Sequence, residues 1–225
     1  VLINSVLTAQ TITFSDAVFK AKLLQSDASS TIARNLSDDY FAIDVNNNGE
    51  IEITEALQVT HLDIEGSLIS SLNGIENFSN LVSLECGNNQ ISNLNIVNLT
   101  KLTDLNCSNN IINTLTLTGA INLQNLYCQS NKLTTLNAGN LTNLLTMDCS
   151  DNKLTSVNLI NLNNLQSLFC NSNSLSSLDL DYLTSLLTLE CNRNILTSLD
   201  LSKLTDITSL NCNFNRLPSL DVSSL

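Results

Sequence analysis

The sequence predicts an α/β solenoid: an arc of stacked units with short parallel strands on the concave face, short 3₁₀ or extended segments on the convex return, and a small helical N-terminal cap. Two observations carry the prediction. All seven cysteines, Cys86, Cys107, Cys128, Cys149, Cys170, Cys191 and Cys212, recur every 21 residues. Each sits in the same local pattern, apolar at relative positions 1, 4, 6 and 11 with asparagine at 9, as in the stretch from Leu144 to Leu154. Positions 4 and 6 alternate with polar positions 3, 5 and 7, which describes a short strand with one buried face. Positions 11, 14, 16 and 19 are apolar at irregular spacing and too few for a full helix.

Composition supports a tiled aliphatic core. The 225 residues include no Trp and few other aromatics, while Leu and Asn dominate. The net charge of −12 and pI near 4.2 argue against a nucleic-acid partner or an anionic membrane surface, since those need clustered Lys and Arg. A cationic ligand or a metal ion is easier to accommodate. No stretch reaches the ~20 apolar residues that span a bilayer.

In chain order, residues 1–10 (VLINSVLTAQ) are apolar and end in Ala9-Gln10, which reads as the remnant of a secretory signal, with an ordinary N-terminal strand as the alternative. Residues 11–58 differ in texture from the repeats and read as a cap. Ser15 or Asp16 is placed to N-cap a helix with an apolar face of Val18, Phe19, Leu23 and Leu24, ending near Ser26, with Phe14 as a staple. Residues 27–30 (DASS) read as a turn, and Ile32 to Phe41 as a second short helix.

The segment 44–55, DVNNNGEIEITE, carries every diagnostic position of an EF-hand calcium loop. Ca²⁺ takes six to eight hard oxygens. Asp44, Asn46 and Asn48 offer side-chain oxygens, Glu50 its carbonyl, Glu52 a carboxylate or a water contact, and Glu55 both carboxylate oxygens. Gly49 permits the sharp bend and Ile51 points inward. A polar asparagine-rich turn is the alternative. EF-hands that act as sensors work in pairs with long helices, whereas here one loop is followed by about four helical residues before Val59 starts the repeats. The expectation is one structural Ca²⁺ pinning the cap to the first strand.

Aligned from Val59, eight units begin at Val59, Leu81, Leu102, Leu123, Leu144, Leu165, Leu186 and Ile207, the first one residue longer and the last truncated. Equivalent thiols in a parallel stack point the same way, leaving their Cβ atoms as far apart as the strands and beyond the usual ~3.8 Å of a disulfide. They are expected to be buried and free, acting as small hydrophobes. Asn89, Asn110, Asn131, Asn152, Asn173, Asn194 and Asn215 form a second column, expected to serve buried turns. Asn98-Leu-Thr100 and Asn140-Leu-Thr142 match glycosylation sequons only because the repeat generates them.

The consensus LxxLxCxxNxLxxLxLxxLxx resembles the leucine-rich repeat LxxLxLxxN/CxL, with cysteine in place of the third apolar strand residue. The stretch Leu72 to Phe78, LNGIENF, is similar to the first repeats of internalin-like bacterial proteins. With the EF-like cap, the chain resembles secreted or cell-surface bacterial leucine-rich repeat proteins. The chain ends in mid-repeat and reads as a fragment, with a further repeat, a C-terminal cap, or the sorting and anchoring domain that the resemblance implies expected beyond it; the resemblance also implies an extracellular or cell-surface location.

The function is expected on the exposed columns of the strand face, where variation is free of core constraint. Position 5 reads Asp63, Glu85, Asn106, Tyr127, Asp148, Phe169, Glu190, Asn211; position 8 includes Arg193 and Phe214. Exposed aromatics ringed by polar groups suit binding anchors. The expectation is a monomeric module that binds a protein or glycan partner through Glu85, Asn106, Tyr127, Asp148, Phe169, Glu190, Arg193 and Phe214. The rival is a passive spacer within a larger surface protein. An enzyme is not expected: His61, the single histidine, has no evident nucleophile beside it, and Glu85, Asp148 and Glu190 are two or three units apart, too far to act as a pair.

Overall fold

A computed structural model describes residues 10–224 of the chain; the signal-remnant reading of the N-terminal residues falls outside the described part, apart from Gln10. The elements in order are α1 (Ala17–Leu23), β1 (Ala33–Arg34), α2 (Ile53–Ala56), β2 (His61–Asp63), a 3₁₀ turn (Ile75–Asn77), β3 (Ser83–Glu85), β4 (Asn93–Asn95), β5 (Asp104–Asn106), β6 (Thr114–Thr116), β7 (Asn125–Tyr127), β8 (Thr135–Asn137), β9 (Thr146–Asp148), β10 (Ser156–Asn158), β11 (Ser167–Phe169), β12 (Thr188–Glu190) and β13 (Ser209–Asn211).

The strand segment of every unit joins one sheet in the order β1-β2-β3-β5-β7-β9-β11-β12-β13. From β2 onward it is parallel and in register, with Leu62, Leu84, Leu105, Leu126, Met147, Leu168, Leu189 and Leu210 in one column. Beneath that column lie the cysteines. Cys86 to Cys191 are fully buried, all seven are unbridged, and Cys212, in the last unit, is partly exposed. Burial pushes the Cys107 and Cys191 thiols up to about 12, so they are protonated apolar rungs with no thiolate character.

Asparagine at position 9 ties each unit to the one before it. Asn131 Oδ1 accepts from Ile112 N at 2.9 Å, and its Nδ2 donates to the carbonyls of Cys107 (3.0 Å) and Cys128 (3.1 Å). The same pattern repeats from Asn89 to Asn215. An amide suits this place because it offers donor and acceptor at once.

The outer side is paired only in part. Among the described residues β4 pairs with β6 and β8 with β10, but β6 and β8 are not joined. The inner sheet is continuous while the outer ladder closes in two separate pairs among the described residues, as suits an arc: hydrogen-bond spacing held on the concave side leaves excess distance on the convex side. The gap forms a cleft of about 470 Å³ beside Leu115, Leu117, Ile121 and Leu141.

The cap follows the sequence reading in part. Asp16 is the N-cap of α1, accepting from Val18 N at 2.8 Å and Phe19 N at 3.2 Å. Phe19 and Leu23 are buried, and Phe14 packs edge-on against Phe19 with ring centroids 5.3 Å apart. Val18, expected on the apolar face, points to solvent. The turn at 27–30 forms around Asp27, which accepts from Ser29 N and Ser30 N at 2.7 Å. The second helix, expected over Ile32 to Phe41, does not form. Instead β1 runs antiparallel to β2, with Ala33 opposite Leu62 and Arg34 opposite His61, and Arg34 bridges back to Tyr40. The apolar residues there are read by a sheet edge that needs covering, and the exposed backbone of β2 outweighs weak helical spacing.

Gly74 explains the LNGIENF stretch physically. Its φ is +107°, and a Cβ there would lie 2.8 Å from the Phe14 ring, so glycine both makes the turn and lets the cap dock on the first unit.

Candidate functional site

The position-5 residues form one uninterrupted line across the inner face. Register pairs Asp63 with Glu85, Glu85 with Asn106, Asn106 with Tyr127, Tyr127 with Asp148, Asp148 with Phe169, Phe169 with Glu190, and Glu190 with Asn211. Tyr127 and Phe169 are thus two rungs apart, roughly 10 Å, with Asp148 between them. Tyr127 is exposed and Phe169 half-buried.

Several members of this line are held in place. Asp148 Oδ1 accepts from Ser150 N at 3.0 Å and Ser150 Oγ at 2.6 Å, Asn106 Oδ1 from Ser108 N at 3.1 Å, and Glu190 Oε2 from Asn211 Nδ2 at 2.8 Å. Burial pushes the Glu85 carboxyl up; the amide of Asn106 opposes this, and the charges of Asp63, Glu65 and Asp104 add to the rise. Where the cap overhangs β2 and β3, a cleft of about 440 Å³ is lined by Arg34, Tyr40, His61, Asp63, Ser83 and Glu85. Arg34 lies over the Tyr40 ring, 4.8 Å from its centroid, and pairs with Asp38 at 3.0 Å. His61 Nδ1 is 3.0 Å from Thr60 Oγ1.

Position 8 proves to be a backbone requirement first. Asn88, Asn109, Ser130, Asp151, Ser172, Arg193 and Phe214 all have φ between 51° and 56°. Asn and Asp reach this left-handed region at little cost, whereas Ser, Arg and Phe do so at roughly 1–2 kcal/mol. Arg193 stacks over Phe214, 5.7 Å from the ring centroid, and Phe214 is 76% exposed. Sequence reasoning took the column as free to vary; its run of Asn, Ser and Asp was the available signal of a turn.

The 44–55 loop is wound upon itself. Asp44 Oδ1 and Asn46 Oδ1 accept from Asn48 N at 3.1 and 3.0 Å, Asp44 Oδ2 from Gly49 N at 2.9 Å, and Asn48 Oδ1 from Glu50 N at 2.8 Å. Glu55 reaches back to close the loop, with Oε1 accepting from Val45 N at 2.8 Å and Oε2 from Glu52 N at 3.0 Å. Gly49 has φ +78° and Ile51 is fully buried. Ile51 is also clamped from outside, since Ile12 N donates to its carbonyl at 2.8 Å. Glu50 turns its side chain outward to Lys20 of α1 at 2.7 Å. The amides of Asn48 and Asn46 donate to Glu52 and hold its carboxyl low, while burial pushes Glu55 up. Among the described residues no three acidic, histidine or cysteine side chains gather into one metal-binding group; asparagine amides stand between the loop's carboxylates. All of its candidate donors are oxygens, and those of Asp44, Asn46, Asn48 and Glu55 are turned over the loop's own backbone. That donor chemistry fits a hard cation of the Ca²⁺ type.

No protein-family model matches the chain, nor does any curated protein. Solved structures do. The functional domain of InlJ from Listeria monocytogenes, described as including a cysteine ladder, is 26% identical with a TM-score of 0.63 over 96% of this chain and 50% of its own. The chain therefore spans about half the length of that relative. Internalin C2 of Listeria monocytogenes is 22% identical with a TM-score of 0.73, covering 97% of this chain and 93% of its own. YopM, a leucine-rich effector protein from Yersinia pestis, is 24% identical with a TM-score of 0.58, covering 71% and 50%. The fold is that of a leucine-rich repeat solenoid with 21-residue units. No helix among the described residues is long and apolar enough to cross a membrane.

Proposed function

We propose that the chain is an extracellular or cell-surface binding module that recognises a protein partner through its concave strand face, with one structural Ca²⁺ held by the cap. The observation that carries the first part is the unbroken position-5 line, on which Tyr127 and Phe169 stand among carboxylates and amides already fixed in position by their neighbours. Anchors that are ordered before binding lose little conformational freedom when a partner arrives. A spacer has no need of aromatics at these places, nor of a strained Arg193–Phe214 stack at the rim.

The test is a binding screen against cell-surface proteins and glycans with calcium present, repeated with the Tyr127→Ala/Phe169→Ala double variant. Loss of capture by at least tenfold, roughly the 1.4 kcal/mol of one lost anchor, with unchanged thermal unfolding, is the expected result. Undiminished capture by the double variant overturns this assignment of the face.

For the cap, Asp44, Asn46, Asn48, Glu52 and Glu55 would hold the ion by side-chain oxygens and Glu50 by its carbonyl. A bound Ca²⁺ would supply positive charge among the carboxylates of Asp44, Glu52 and Glu55, the fourth, Glu50, being paired with Lys20. The loop is bonded to the Ile12 segment and ends within α2, which leads directly into Val59, so the ion acts on cap docking. Chelation is expected to lower the thermal midpoint by several degrees, on the scale of roughly 4 °C per kcal/mol or less for a chain of this size. A midpoint unaltered by chelator, in wild type and in Glu55→Gln alike, removes the structural role.

A further inference from the structure

We infer that the partner presents a cationic polypeptide segment to the concave face. This rests on the concave-face reading and adds the chemistry of what is recognised there. Positions 3, 5 and 7 of the strand units carry Asp63, Glu65, Glu85, Asp104, Asp148 and Glu190, and not one Lys or Arg. The basic residues of the repeats lie elsewhere: Lys132, Lys153 and Arg216 at position 10, Lys203 at 18 and Lys101 at 21, with Arg193 alone at the rim. Of the 13 carboxylates in the repeats, six fall in these three of the 21 positions, whereas none of the six cations does.

The carboxylates on this face also lack basic partners. The ion pairs among the described residues are Lys20–Glu50, Arg34–Asp38 and the His61–Asp38 contact, all involving cap carboxylates. Gln129 Oε1 and Asn192 Oδ1, at position 7, are buried acceptors with no donor. The face therefore holds carboxylates and unpaired acceptors but no Lys or Arg to meet them. At its cap end Asp63 and Glu85 stand one rung apart, about 4.8 Å, inside the cleft walled by Tyr40. The raised Glu85 carboxyl reflects burial and three neighbouring carboxylates, a repulsion that an ammonium or guanidinium group would relieve. Asp148 between Tyr127 and Phe169, and Glu190 beyond them, continue the line, so cations at intervals along an extended chain would meet charge and aromatic surface alternately.

The experiment uses a short labelled peptide with lysine at every second position, and its counterpart with glutamine in place of lysine, titrated against the whole chain by fluorescence anisotropy at low and high ionic strength. Two triple variants with equal net charge are compared. Glu85→Gln/Asp148→Asn/Glu190→Gln removes three of the six carboxylates of the concave face while each amide keeps an acceptor oxygen. Asp179→Asn/Asp200→Asn/Asp221→Asn does the same at convex turns, where each carboxylate accepts one local backbone N–H. The expected result is preference for the lysine peptide, roughly tenfold weakening in the concave triple and less than twofold in the convex one. Equal weakening in both, or no preference for lysine over glutamine, overturns the inference. Should the lysine peptide fail while the screen still finds a partner lost by the Tyr127/Phe169 double variant, the concave reading stands and only its cationic partner falls.

Discussion

Asn131→Ala is expected to cost roughly 3 kcal/mol, the largest loss from any single polar side chain in the middle of the array. Its amide makes the hydrogen bond to Ile112 N and two to the carbonyls of Cys107 and Cys128. Those carbonyls keep a second asparagine donor each, from Asn110 and Asn152. The buried N–H of Ile112 keeps nothing, and an orphaned buried donor costs about 1–3 kcal/mol before the cavity is counted. Asn215→Ala should be milder, because Asn215 is only partly buried and water can replace it. Urea unfolding measures both. A mid-array loss can also split the cooperative unit, so two transitions in Asn131→Ala would carry the same meaning as a lowered midpoint; an unchanged curve would show the ladder to be dispensable.

Asp16→Ala should cost a similar amount, roughly 3 kcal/mol, through different physics. One oxygen of Asp16 caps α1, worth about 1 kcal/mol. The other accepts from Ser70 N and Ser70 Oγ at 2.6 Å and Ser71 N at 3.1 Å, charge-assisted bonds that fasten the cap to the first repeat. Burial raises this carboxyl, but the hydrogen bonds from Ser70, Phe19 and Val18 outweigh it and bring its pKa from 3.8 to about 2. A carboxyl lowered on folding stabilises fully above its unfolded value of 3.8 and loses that contribution as the pH falls through about 2. The stability gap between wild type and Asp16→Ala should therefore narrow by about 2 kcal/mol across that acid window. A gap independent of pH would mean that the charge of Asp16 is not what fastens the cap.

The asymmetry between what could and could not be read in advance has a common cause. The cysteine and asparagine columns were legible because a 21-residue period repeats the same local constraint until chance is excluded. Asp16 and Phe14 were legible for another reason, that capping acts within a few residues. The hairpin around β1 was not, since residues 32–41 take their structure from β2 some thirty positions away, and no local pattern records an uncovered sheet edge. The left-handed turn at position 8 was written in plain Asn, Ser and Asp, yet Arg193 and Phe214 concealed it. Of the candidate site, the line of residues and its charges could be read from the aligned repeats, while the cleft under the cap and the absence of basic partners for these carboxylates depend on contacts that no repeat pattern records.

The unpaired boundary between β6 and β8 has a mechanical meaning. A sheet with every hydrogen bond made resists stretching, so the inner face acts as an inextensible tape. The outer side yields most readily where its ladder is open, and that boundary is such a place, flanked by two closed pairs. Bending compliance is thereby uneven along the convex side, least within the two closed pairs and greater at the boundary beneath Asn106 and Tyr127 and in the units from Leu165 onward, where no outer strands pair among the described residues.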